Sequence, residues 1–352
     1  MAKLDPRPPA PLRMLTAPVH AITPTYFHLG LQTPDFPQLQ DMLQQTLLGH
    51  SLAVVQVDVL PGHLHNVNII HLSNGSYLVL KAGPSPIVPL LRHERSLLYN
   101  EAHALRILAR SDLPVPRILK HDPTGTRLDS PFLLSTFVPG ARFSEVQKGM
   151  VPAERAAVER QLRFLIAAIG QHVPSVPDSY GPLAVATSHQ GYKTWREAFR
   201  WMLESVLMDA EDLLVNLPYA QIRSEVAKSD KVLDDVREAR LVIPGLTEPR
   251  NILIDPSTNT ITGLLDFGGA LWGDWQIGVP EVAVGIKGQI YMIYHAIVTI
   301  VKHSYRRQND DHELDARRAL VVALRQLASN ETQLNSDGGL APGLKSSYDF
   351  SP

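Results

Sequence analysis

The sequence contains no cysteine. That absence excludes a disulfide framework, a thiolate zinc site and a thiol nucleophile. No apolar run approaches the ~18 residues that a membrane-spanning helix needs. The most apolar stretch, Ile290 to Val301, is broken by Tyr291, Tyr294 and His295 and reads as a buried helix. Charge of one sign is lacking too: a formal net charge of −2 over 352 residues points to neither nucleic acid nor a membrane surface as a partner. The N-terminus has no compact apolar core of the kind a secretory signal carries, so a cytoplasmic location is expected. What is present, 44% hydrophobic and 19% charged residues over 352 positions, suffices to bury a sizeable core and suggests two domains or lobes, or one large one.

Residues 1–24 carry Pro6, Pro8, Pro9, Pro11, Pro18 and Pro24 with little periodicity, which predicts an extended arm. Phe36 to Leu48 has helical spacing, and Ser51 to Leu60 alternates as a strand does. Pro61 to Asn66 makes a turn, and Val67–Leu72 and Tyr77–Lys81 form a hairpin across Ser73-Asn74-Gly75. A helical pattern runs from about Leu91 to Ala109, broken by Leu113-Pro114-Val115-Pro116, and Pro131 to Val138 reads as a buried strand. From there the pattern is helical, over Ala153–Ile169, Trp195–Asn216, Tyr219–Ala239, Val282–Tyr305 and His312–Leu327. The expected organisation is an arm and helix over 1–50, a β-rich lobe over 51–139, a helical lobe over 140–328 and a loose tail over 329–352.

One stretch in the helical part is different. Ile252–Ile254 and Ile261–Leu265 flank Asp255-Pro256-Ser257-Thr258-Asn259-Thr260, the pattern of a β-hairpin. Asn251 stands just before the first strand and Asp266 just after the second, so pairing brings both to the open end, on chains roughly 5 Å apart. An amide oxygen and a carboxylate there could share a hard cation such as Mg2+; a turn cap and a surface ion pair are the plainer alternative. Lys81 ends an apolar strand. Glu94 and Glu101 lie two turns apart on one helix face, and either could reach it.

This ordered set resembles the aminoglycoside phosphotransferase and choline kinase branch of the protein-kinase-like fold, in a form common in fungi. The resemblance covers about residues 55–285. It rests on Gly62 to Asn66 as a covering turn, Lys81 with Glu101, Leu113-Pro114-Val115-Pro116, Ser130-Pro131-Phe132-Leu133-Leu134 and Pro139-Gly140. Most specific is Asn251-Ile252-Leu253 followed by Asp266-Phe267-Gly268. It implies an α+β, bilobal fold with a small β-rich N-lobe and a larger helical C-lobe. It also implies ATP and Mg2+ as cofactors and a small-molecule substrate. In that scheme Lys81 holds phosphates and Glu101 orients it, Asn251 and Asp266 bind the metal, and backbone amides around Gly62 and Asn66 cover the phosphates. The chain from Ser135 through Phe137 to Val138 meets adenine.

One position departs from the family's pattern. The family carries a His-Gly-Asp run whose aspartate lies five residues before the metal asparagine; here that register is Pro244-Gly245-Leu246. Leucine cannot take a proton, and a general base is typically worth roughly 10²–10⁴-fold. Three readings follow. The chain is a small-molecule kinase with a displaced base, for which Glu248 is the nearest carboxylate and Asp274 another local acid. Or the fold serves a non-phosphoryl step, as in fungal secondary metabolism, with His63 or His65 in acid–base roles. Or it is a nucleotide-binding pseudokinase. Aromatic residues near the expected substrate pocket, Trp201, Tyr291 and Tyr294, suit either an apolar ligand or the core.

Overall fold

The computed structural model describes residues 35–47, 52–60, 64–84, 88–171, 179–188, 190–279, 283–306 and 310–336. The expected arm over 1–24 lies outside that set; of the loose tail expected over 329–352, residues 329–336 instead continue the last helix, and those beyond 336 lie outside the described residues.

The N-terminal lobe is built from α1 (Phe36–Thr46), β1 (Val54–Leu60), β2 (Asn66–Leu72), β3 (Tyr77–Ala82), α2 (Leu97–Leu108), β4 (Ile118–Asp122) and β5 (Phe132–Thr136). The five strands form one antiparallel sheet in the order β1-β2-β3-β5-β4. Alternation divides its faces. Leu78, Leu80 and Ala82 of β3 join Ile70, Leu72, Phe132 and Leu134 against Leu39, Met42 and Leu43 of α1. Val79 and Lys81 point to the opposite face, toward α2. Strand β4 was not foreseen, because Ile118-Leu119-Lys120-His121-Asp122 has too little apolar character to announce itself.

Past Val138 come β6 (Ala141–Arg142), α3 (Phe143–Val146), α4 (Pro152–Gln171), β7 (Gly181–Pro182), α5 (Leu183–Thr187), α6 (Trp195–Asp212) and α7 (Tyr219–Ser229). Then follow β8 (Arg240–Val242), β9 (Ile252–Asp255), β10 (Thr260–Leu264), β11 (Leu271–Gly273), α8 (Gly285–Tyr305) and α9 (Asp310–Ser336). The β9–β10 hairpin pairs as expected, and β6 adds to its edge. Helix α7 ends ten residues before the predicted Ala239. Asp230 is withdrawn from solvent onto the guanidinium of Arg200, and the chain continues as a 3-10 turn over Asp230–Asp235. The architecture is thus the expected α+β one, a β-sheet lobe and a helical lobe. Among the described residues no helix is long and apolar enough to cross a membrane.

Candidate functional site

The site is assembled first at the end of β3. Lys81 Nζ lies 2.6 Å from Glu101 Oε2 on α2 and 3.4 Å from Asp266 Oδ1. Burial opposes the charge on Lys81, but the two carboxylates outweigh it and hold the ammonium above its usual pKa. Lys81 in turn holds the Asp266 carboxyl below its usual range, with His65 and Lys302 adding to the effect. Phe267 donates its backbone N–H to Glu101. Lys81 and Glu101 are largely enclosed, whereas 52% of the Asp266 side chain faces solvent. Asp266 has φ +64°, a left-handed conformation that a non-glycine residue adopts at some cost. That conformation turns the carboxylate toward Lys81.

Only one of the two glutamates on the predicted long helix serves Lys81. The pattern over 91–109 is split, with a 3-10 turn over Arg92–Ser96 ahead of α2. Glu94 belongs to that turn, accepts the Leu91 N–H at 3.0 Å, and pairs with Arg306 at the end of α8. Arg92 is fixed to Asp209 and Asp212 of α6. Farther along, Asn100 donates to the Gly268 carbonyl at 3.1 Å and accepts the Ala184 N–H at 2.8 Å. These ties run from the start of α2 into the helical lobe and aim Glu101 at Lys81. Sequence patterning missed all of them, since each joins residues more than 80 positions apart.

The second part is the loop between β8 and β9. Gly245 has φ +87°, which favours glycine. Leu246 is 3% exposed and joins the main core. Asn251 donates Nδ2 to the Gly245 carbonyl at 2.9 Å, which leaves its amide oxygen as the open end; its own carbonyl takes the Leu265 N–H at 2.8 Å. Glu248 pairs with Arg250 at 2.5 Å. Its Oε1 would stand 3.3 Å from a Cβ built on Gly245, and Asn251 Nδ2 would stand 3.8 Å from the same point. The Glu248 carboxylate therefore hangs over Gly245, near the metal-type asparagine.

The other expected residues divide. Val67 pairs with Lys81 across β2 and β3, so His65, two residues earlier, projects to the Lys81 face. Burial, then Lys81 and Arg306, push its imidazole down to about 3 against the pull of Asp266, so it is neutral at physiological pH. Asn66 pairs with Ala82 and shares the α1 face instead, which leaves only its backbone toward the cleft. Gly62 and His63 lie outside the described residues. Ser135 is buried opposite Val79. The Phe137 ring leans outward on Tyr77, centroids 5.5 Å apart. The Val138 N–H makes no backbone hydrogen bond among the described residues. Asp274 is not in the cleft: it is buried past β11, bound by Tyr291 Oη at 2.8 Å and Lys287 at 3.2 Å. Tyr291 itself is core and accepts from Trp195, while Tyr294 packs on Phe199 and Trp201 stays partly exposed beside Tyr192.

Residues 71–277 match a family described as the phosphotransferase enzyme family, APH. No curated protein is significantly similar in sequence. Many solved structures have a similar fold, among them the three that follow. A thermostable mutant of aminoglycoside phosphotransferase APH(4)-Ia, in ternary complex with AMP-PNP and hygromycin B, aligns at TM-score 0.60 and 17% identity, over 82% of this chain and 98% of that one. A candidate fructosamine-3-kinase from Thermobifida fusca aligns at 0.58 and 17%, over 83% and 98%. Wild-type aminoglycoside 2'-phosphotransferase-IIIa with GDP aligns at 0.51 and 14%, over 84% and 99%. Identities this low speak for the fold alone.

Proposed function

Since the chain belongs to the phosphotransferase enzyme family, we propose that it binds ATP with Mg2+ in the cleft beside Lys81 and acts there on a hydroxylated small molecule. The contact of Lys81 with Glu101 and Asp266 carries the reading. A lysine kept charged by one enclosed carboxylate, beside a second that is half exposed, suits a polyphosphate better than a core ion pair. Asn251 and Asp266 fit the metal: the amide oxygen of one and the open carboxylate oxygen of the other are hard donors. Among the described residues no group of three or more His, Asp or Glu could hold a metal ion. A protein contribution of two ligands fits an ion that takes further oxygens from phosphates. When bound, Mg2+ would supply charge neutralisation at the phosphates. The open N–H of Val138, just past β5, suits an adenine edge.

Efficient turnover by the family's usual route is not part of the proposal. Leu246 occupies the position of the base, and its burial favours the last of the three readings, a nucleotide-binding protein with little or no phosphoryl transfer. Glu248, over Gly245, is the carboxylate best sited to receive a proton if transfer occurs. Thermal denaturation with Mg-ATP tests the binding reading. The wild type is expected to gain stability in proportion to nucleotide, and Asp266→Ala to lose the magnesium-dependent part. No shift in the wild type would refute it.

A further inference from the structure

The left-handed backbone of Asp266 persists only if its surroundings over-determine it, and the peptides on either side of it are held. The Leu265 N–H is taken by the Asn251 carbonyl at 2.8 Å, the Phe267 N–H by Glu101, and the Gly268 carbonyl by Asn100 Nδ2 at 3.1 Å. Gly268 lies so close to α2 that a Cβ there would stand 3.2 Å from Leu97 Cβ. Asn100 closes a ring on this segment. Its Oδ1 accepts the Ala184 N–H at 2.8 Å, and the adjacent Leu183 N–H donates to the Ala270 carbonyl at 3.2 Å. The first turn of α5 thus grips both Asn100 and the far end of the segment. Asn100 is buried, so solvent cannot replace either partner.

The geometry points to Asn100 as a positioning residue for the magnesium site. By holding the Gly268 carbonyl it keeps Asp266 in the conformation that aims its carboxylate at Lys81 and at the cation. This rests on the nucleotide reading above. A primary amide suits both bonds, donating to Gly268 from one end and accepting from Ala184 at the other, whereas a carboxylate of the same shape only accepts. Glu101, the next residue, takes the Phe267 N–H, so two consecutive side chains of α2 hold the two residues that follow Asp266. Asn100 touches neither nucleotide nor metal in this scheme; it acts through the backbone of the segment.

The test is calorimetric titration of the full chain with Mg-ATP and with ATP in EDTA, beside amide hydrogen exchange over residues 266–270. Asn100→Asp keeps the acceptor for Ala184 and loses the donor to Gly268; Asn100→Ala drops the amide without burying a charge and serves if the first variant does not fold. In either, affinity for Mg-ATP is expected to fall about tenfold, as for the loss of an outer support of a metal ligand, while metal-free ATP changes less than about threefold. Exchange at Phe267 should quicken as the segment loosens. Arg223→Ala breaks ion pairs to Glu204 and Glu211 within the helical lobe and should leave both affinities and the exchange unchanged. An equal loss for the two forms of ATP, or no loss for either, overturns the assignment. A wild type that binds neither form refutes the nucleotide reading; exchange still reads the hold on the segment, and an unchanged rate in the Asn100 variants refutes that hold.

Discussion

The two halves of the cleft have been treated differently. On the sheet side, Lys81, Glu101 and Asp266 form one connected group, and α2 is tied into the helical lobe through Glu94, Arg92 and Asn100. On the loop side, the metal-type Asn251 is held by the Gly245 carbonyl, yet the residue five positions before it is an apolar side chain turned into the core. Different elements supply the two halves, β3 and α2 for one and the β8–β9 loop for the other. In the proposed reading, an apolar residue at the base position leaves the phosphate and metal side undisturbed, because separate elements carry the two.

The largest effect that would break this contrast is expected at Glu101. Glu101→Ala leaves Lys81 enclosed with only the longer contact to Asp266, and removing one partner of such a pair costs roughly 3–5 kcal/mol. Chemical denaturation measures it, and Mg-ATP binding should fall in the same variant. If stability drops by less than about 1 kcal/mol, the pair is not the organising contact of the sheet side.

Leu246 sharpens the other half. Restoring the family's acid, Leu246→Asp, puts a carboxylate where a leucine is 3% exposed, and the expected cost is on the order of 3 kcal/mol. Leu246→Ala separates lost packing from buried charge. ATP consumption over a panel of hydroxylated small molecules is the second readout. Turnover gained by Leu246→Asp, where the wild type has none, would mark a disabled kinase. Wild-type turnover that Glu248→Gln abolishes would instead make Glu248 the working base. As an exposed pair, Glu248 and Arg250 should matter to stability by less than about 1 kcal/mol.

Much of this was legible in the sequence, for identifiable reasons. The β9–β10 hairpin and the β2–β3 hairpin announce themselves through period-2 apolar runs around turn residues, and the lobes follow from where such runs stop. The nearness of Asn251 and Asp266 follows from the hairpin that separates them. What could not be read was tertiary: that Glu94 turns to Arg306 rather than Lys81, that Asn66 and His65 take opposite faces, and that Asp274 is buried beneath Tyr291. Each depends on a partner far away in the chain or on a register that one residue's slip would invert.

The smallest effect concerns pH and joins the two halves. His93 sits between the turn entering α2 and the end of α8, where it faces Lys302 and Arg306, with Glu94 paired to Arg306 next to it. Burial, then those two cations, push its imidazole from the usual 6.5 down to about 3. The unfolded chain therefore takes up a proton near pH 6.5 that the folded protein refuses until about pH 3. Its contribution to stability is complete above pH 6.5 and is lost progressively as pH falls through that window. His65 acts with the same sign. Between pH 7 and 5 the part due to His93 is expected to be roughly 1 kcal/mol, reduced from the full linkage value because the ring is partly exposed. His93→Gln should flatten the acid limb of the stability curve while leaving the value at pH 7.5 within about 1 kcal/mol of wild type. An acid limb unchanged in His93→Gln would mean that the junction of α2 and α8 opens to water, and that the aim of Glu101 at Lys81 does not depend on it.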